Sequence, residues 1–219
     1  LSFNQLKRLR KFSKKLNIHF GTTPFSNEQL KEAIKLKCDF IKIASMDLNN
    51  YPFINKVSQI KENLIVSTGF STLDEIKKAS KILNKTRKKN IIFLHCVGLY
   101  PPKSEDVINL KNMETIKKIT GFEIGFSDHT RWLETPLSAS ALGAKVIEKH
   151  FTFNKKAKGW DHSVSADFEE MKFITESLKK IEVMLGKYEK KIHQSERSNL
   201  SSMRRSPYAS VVLEKGEIL

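Results

Sequence analysis

Residues 122–152, FEIGFSDHTRWLETPLSASALGAKVIEKHFT, hold one apolar run that ends in Ser127-Asp128-His129 and a second that ends in Glu148-Lys149-His150, with a helical stretch between them. Short runs rich in Ile, Val and Phe, bounded by polar residues, read as strands buried on both faces. Strand, helix and strand in so few residues make a right-handed βαβ unit with parallel strands. The pattern recurs upstream. Apolar or β-branched runs at 17–25, 40–45, 64–69, 91–97, 122–128 and 144–152 start 23, 24, 27, 31 and 22 residues apart. Helical patterns lie between them, with start signals that resemble capping boxes at Ser26 with Gln29 and at Ser71 with Asp74.

This rhythm predicts an α/β chain, a (β/α)8 TIM barrel of which about six βα units are present. Such barrels take about 250 residues, so two further units are expected before the first strand. Phe3, Leu6, Leu9, Phe12 and Leu16 form a helical apolar stripe with no strand ahead of it, in keeping with that expectation. A long final helix is expected over 168–187. The partial barrel is assigned to 1–190, and 191–219 to a separate segment.

Composition narrows the class. The chain has 219 residues, 39% of them hydrophobic, which suffices for one core. No apolar run approaches the ~18 residues of a membrane span, and the first residues form a basic amphipathic pattern, unlike a signal peptide. Cys38 and Cys96 both sit in apolar segments, which argues against a disulfide framework and for a soluble protein of the reducing cytoplasm. The net charge of +15 invites comparison with nucleic-acid binders. However, Lys77-Lys78, Lys88-Lys89 and Lys190-Lys191 read as helix surfaces and turns without interleaved aromatics, so no nucleic-acid partner is expected. A small anionic substrate would benefit from the same field.

In a barrel of this type the C-terminal strand ends line the active site. Here they carry Thr22-Thr23, Lys42 with Ser45, Ser67-Thr68-Gly69, Tyr100, Ser127-Asp128-His129 and Glu148-Lys149-His150. This set of hydroxyls, cation, imidazoles and carboxylates suits a phosphorylated, carboxylated substrate with a divalent metal. His129 and His150 end separate strands and are either a pair of metal ligands or hydrogen-bonded core histidines. Glu148 shares the parity of His150, and Lys149 points the opposite way. Glu148 is thus either a carboxylate supporting the metal ligands or part of an ion pair. Lys42, between Ile41 and Ile43, requires an anion, either a protein carboxylate such as Glu148 or a phosphate. Asp161 is either a partner for a sugar hydroxyl or an exposed loop carboxylate. His19, His95, His162 and His193 read as structural.

Thr22-Thr23-Pro24-Phe25, Lys42-Ile43-Ala44-Ser45, the Asn50-Tyr51-Pro52 turn, Ser67-Thr68-Gly69, Leu94-His95-Cys96 with Tyr100-Pro101, Gly125-Phe126-Ser127-Asp128-His129-Thr130, Glu148-Lys149-His150-Phe151-Thr152 and Asp161-His162 resemble, in order, the blocks of the sialic acid synthase family. That family makes N-acetylneuraminate, legionaminate and pseudaminate. The resemblance implies a transferase that condenses phosphoenolpyruvate with an N-acetylated hexose, N-acetylmannosamine or a diamino-dideoxy relative, and releases phosphate. It implies His129 and His150 as ligands of a catalytic Mn or Mg. Thr23, Lys42, Ser45, Ser67 and Ser127 would bind phosphoenolpyruvate, and Tyr100 and Asp161 the sugar; Lys42 and Asp161 also count among the catalytic residues.

Gly98 departs from the pattern, since the family usually carries Ser or Asn there. Arg204-Arg205-Ser206 and Lys215-Gly216-Glu217 resemble the linker and first strand of the family's C-terminal antifreeze-like (SAF) domain, which completes the partner's site in a homodimer. On these grounds the chain by itself is expected to be an inactive fragment. Alternative readings are another phosphoenolpyruvate-dependent sugar-acid synthase, which the motif blocks disfavour, and a fragment that only binds sugar.

Overall fold

The computed structural model describes residues 1–85 and 90–218; Lys88-Lys89 lies outside them. The chain divides into two compact units, the first spanning Leu1–Leu185 and the second beginning at Gly186.

In the first unit α1 (Phe3–Lys15) precedes six strands: β1 (Gly21–Thr22), β2 (Phe40–Ile43), β3 (Asn63–Ser67), β4 (Ile91–Cys96), β5 (Glu123–Asp128) and β6 (Ile147–Lys149). The helices α2 (Asn27–Lys35), α3 (Tyr51–Ser58), α4 (Leu73–Leu83), α5 (Asn112–Thr120) and α6 (Glu134–Ala141) connect them in turn, and α7 (Phe168–Leu185) follows. All strand pairs are parallel and lie in sequence order, with β1 and β6 at the edges. The unit is an incomplete TIM barrel. Ile41, Ile43, Leu64, Val66, Phe93, Ile124 and Phe126 turn outward from the sheet into the core, where they meet helix residues such as Ile54, Val57, Ile76, Leu83, Met113 and Ile116. Alternate residues face the concave side, as a period of two requires.

The strands are shorter than their apolar runs. Residues 17–20 lie outside the strand: Asn17 takes a left-handed φ of 55° after α1, the Ile18 amide returns to the Ser13 carbonyl, and Phe20 meets Asp39 twice, its amide donating to Oδ2 at 2.7 Å and its carbonyl accepting from the Asp39 amide at 2.8 Å. At the other edge, the Ala144 amide closes α6 on the Ala139 carbonyl. Beyond β6, Phe151 forms only an isolated bridge with Ala166. The apolar runs thus outlast the ladder at both edges, and Ile18 and Phe151 beyond it are exposed.

Helix starts differ by single residues from the sequence reading. Thr72, rather than Ser71, caps α4: its hydroxyl accepts from the Glu75 amide while Glu75 Oε2 accepts from the Thr72 amide. Ser26 caps α2 through the Gln29 amide, but Gln29 Oε1 accepts from the Phe25 amide, so the box is not reciprocal. The Asn50-Tyr51-Pro52 turn is the first turn of α3, with Asn50 Oδ1 accepting from the Phe53 amide. The final helix stops at Leu185 because Gly186 adopts φ 57°.

The second unit holds α8 (Gln194–Arg197) and α9 (Leu200–Met203) and no strand among its described residues. Lys215-Gly216, expected in a first strand, form a turn closed by the Glu217 amide on the Glu214 carbonyl.

Gly125 shows how tightly the sheet is built, since a Cβ there would lie 2.4 Å from the Val146 carbonyl oxygen and 2.5 Å from Leu94 Cδ2. Gly125→Ala should lower stability by about 1 to 3 kcal/mol through overpacking, read as a lower denaturant midpoint at unchanged m-value.

Candidate functional site

Strand register places Thr23, Lys42, Ser67, Cys96, Ser127 and Glu148 on one face of the sheet, because paired residues in neighbouring strands share a face. The same parity brings His150 to that side. At the centre, Lys42 Nζ lies 2.9 Å from Glu148 Oε1, and Ser127 Oγ donates to that same oxygen at 3.0 Å. Both charged side chains are largely shielded. Of the two expected anions for Lys42, the structure supplies the carboxylate.

Around this pair, Ser45 Oγ accepts from the Gly69 amide at 3.0 Å, and a Cβ at Gly69 would come within 2.9 Å of that hydroxyl. The glycine therefore keeps the backbone donor close to Ser45. Ser67 Oγ is different: among the described residues it is the buried side-chain oxygen without a hydrogen-bond partner. Cys96 lies beneath Ser45 and Ser127, and burial pushes its thiol above the ordinary range. Thr23 ends the row, half-buried, one residue beyond β1.

A second group stands on the rim. The rings of His129 and His150 have centroids 5.3 Å apart, and Tyr100 stacks on His129 at 4.0 Å with its centroid 5.9 Å from His150. Asp161 Oδ2 lies 3.6 Å from His150 Nδ1 and is half-exposed. His129 Nδ1 meets the Val97 carbonyl at 2.9 Å, with Cys96 Sγ 3.9 Å away. Burial lowers the pKa of His129, outweighing the carbonyl contact that raises it. With Nδ1–H donated to Val97, the free lone pair is on Nε2. The Tyr100 phenol is pushed up to about 12, first by burial and then by Cys96, Asp161 and Glu148 nearby.

The sequence-predicted residues thus gather as two groups, Lys42–Glu148–Ser127 inside and His129–His150–Tyr100–Asp161 above. His95 is structural, its Nε2 against the Ile108 carbonyl at 2.8 Å, and His162 Nδ1 contacts Thr152 Oγ1 at 2.7 Å. Two features were not among the expected site residues. The Val97 carbonyl that orients His129 is a backbone atom. Asp128 and Lys149 meet at 2.8 Å on the outer face, for which the opposite parity of Lys149 was the signal. At Gly98 a Cβ would lie 2.1 Å from Phe70 Cζ; Phe70, at φ 63°, rests its ring on the glycine while remaining 78% exposed.

Residues 1–190 match the NeuB family. The chain belongs to the NeuB family. It is a sialic acid synthase family member by its relatives as well. It is 38% identical over 214 residues, 97% of its length, to the N,N'-diacetyllegionaminic acid synthase of Campylobacter jejuni, and 30% identical over its whole length to the human N-acetylneuraminate-9-phosphate synthase. It covers 64% and 60% of those two proteins, so it spans less than two thirds of their length. The crystal structure of N-acetylneuraminic acid synthetase from Leptospira borgpetersenii superposes with a TM-score of 0.85 at 32% identity, over 94% of this chain and 73% of that one. A heptulosonate-type synthase structure from Thermotoga maritima, at 19% identity and TM-score 0.73, shares the fold.

The buried histidines predict how the NeuB-family chain responds to acid. Burial lowers the pKa of both His95 and His129 from the ordinary 6.5. Below that value the unfolded chain takes up protons that the folded chain refuses, so stability falls as pH drops until the folded groups titrate as well. The melting temperature should decline from pH 6.5 downward, and His95→Gln should flatten the decline.

Proposed function

We propose that this chain is the barrel part of a nonulosonic acid synthase, in which phosphoenolpyruvate binds inside the half-barrel and an N-acetylated sugar aldehyde binds at the rim. The observation that carries this reading is the unpartnered Ser67 hydroxyl, buried on the same face as Lys42. A buried hydroxyl left without an acceptor costs about 1 to 3 kcal/mol, and a ligand oxygen would satisfy it. An anion there also meets Lys42, Ser45, Ser127 and Thr23, a set suited to one phosphate and one carboxylate.

The reaction joins C3 of phosphoenolpyruvate to the aldehyde carbon, adds water at C2 and releases phosphate by cleavage of the carbon–oxygen bond. Lys42 offsets phosphate charge as the tetrahedral intermediate forms, and the hydroxyls orient it; Glu148 holds Lys42 in place until the anion arrives. Tyr100 and Asp161 orient the open-chain sugar. A divalent metal, Mn or Mg, would supply Lewis acidity toward the aldehyde oxygen when bound. The donors suit it: two imidazoles stand side by side, and burial keeps His129 unprotonated. The stretch 191–219 is read as the linker into a SAF domain that completes the partner's site in a homodimer.

Ser67→Ala in the intact protein should lower kcat/KM for phosphoenolpyruvate roughly tenfold to a hundredfold, as expected for a hydrogen bond to a charged group, and leave the sugar KM unchanged. Asp161→Ala should do the reverse. His129→Ala and His150→Ala should each abolish metal-stimulated phosphate release. A Ser67→Ala enzyme with unchanged phosphoenolpyruvate kinetics would contradict the anion site.

A further inference from the structure

The parallel ladder between β5 and β6 ends at the pair Asp128 and Lys149, one residue short of His129 and His150. No pair follows that rung, so the strand pairing itself does not fix the loop that carries His129. On the face turned away from the site, Lys149 Nζ reaches Asp128 Oδ2 at 2.8 Å, with side chains 6% and 0% exposed. The same ammonium donates to the Thr130 carbonyl, and the Thr130 amide donates to Asp128 Oδ1 at 2.9 Å. His129 is therefore bracketed by two residues that are tied to each other and to the neighbour of His150. The Thr130 hydroxyl continues the network to the Trp132 carbonyl and to Thr135 on α6. The His150 carbonyl accepts from the Ala166 amide at 2.8 Å, but that contact fixes it to the following loop, not to β5.

We infer that Asp128 and Lys149 are positioning residues that hold the His129 and His150 imidazoles at the spacing required to bind one divalent metal ion. The inference rests on the metal reading above. A fully buried ion pair is weak evidence of stability, because apolar residues of similar volume often serve as well or better. Its distinctive contribution is geometric. Charge-assisted contacts fix direction as well as distance, and here they clamp the loop that carries one imidazole to the strand that carries the other. Neither side chain reaches the concave face, so each acts through the histidine beside it.

The test uses the intact protein and Mn(II) alone, with bound and free ion distinguished by electron paramagnetic resonance and thermal unfolding followed without metal. His129→Ala should lose Mn(II) binding. Asp128→Asn and Lys149→Met should each weaken it about 10- to 100-fold, the range found when groups supporting metal ligands are removed, and should alter the spectrum of the bound ion. Asp128→Leu with Lys149→Met, which removes both charges together, should recover the melting temperature but not the affinity. Lys149→Arg, which keeps the charge, should regain part of it. If the double variant recovers affinity together with stability, or the folded single variants bind Mn(II) as the parent does, the pair is only structural and the inference is overturned. Equal Mn(II) binding by the parent and His129→Ala would instead overturn the metal reading, and this inference with it.

Discussion

An ammonium group on β2 and a carboxylate on β6 meet at 2.9 Å. These strands are four places apart in the sheet, a distance of about 19 Å if the sheet were flat. Two side chains cannot bridge that gap, so the contact exists only because the sheet curls. The curl follows from strand twist accumulated over parallel pairs, with helices pressed against the outside. Lys42–Glu148 is thus a chord across the half-barrel. Everything placed near it, including Ser127, Ser67 and Cys96, inherits its position from the same curvature.

The two faces of β5 and β6 divide the work. Toward the axis they present Ser127, Glu148 and His150, the last two partly solvated. Toward the helices they present Asp128 and Lys149, closed off from water. One sequence block on each strand therefore carries both the chemistry and its support in alternate residues. A shift of one residue in register would exchange the two sets and destroy both.

Much of this was legible in the residues. Strand positions followed from apolar runs at regular spacing, and the site followed from polar residues at their ends. Strand ends were not legible, because Ile18, Phe20 and Phe151 look in sequence like residues of the ladder, although Ile18 and Phe151 are exposed and the strands stop short of all three. Caps shifted by one position where two hydroxyl residues stood together, as at Ser71-Thr72, since either can accept from an amide and only the backbone decides which does. Lys42 was marked by its isolation between isoleucines, and Glu148 was named among its partners from parity. The unpartnered Ser67 hydroxyl and the Val97 carbonyl against His129 had no signature, because each depends on which atoms of distant segments meet.

Phe70 on Gly98 sets what a side chain at 98 would cost. The phenyl ring occupies the volume that such a side chain would enter, and the glycine is the floor on which the ring rests. The atoms in the way are the outer edge of an exposed ring, so Ser or Asn at 98 is admitted by swinging the ring into solvent. The exchange trades an apolar cover over the backbone for a polar side chain in the same place.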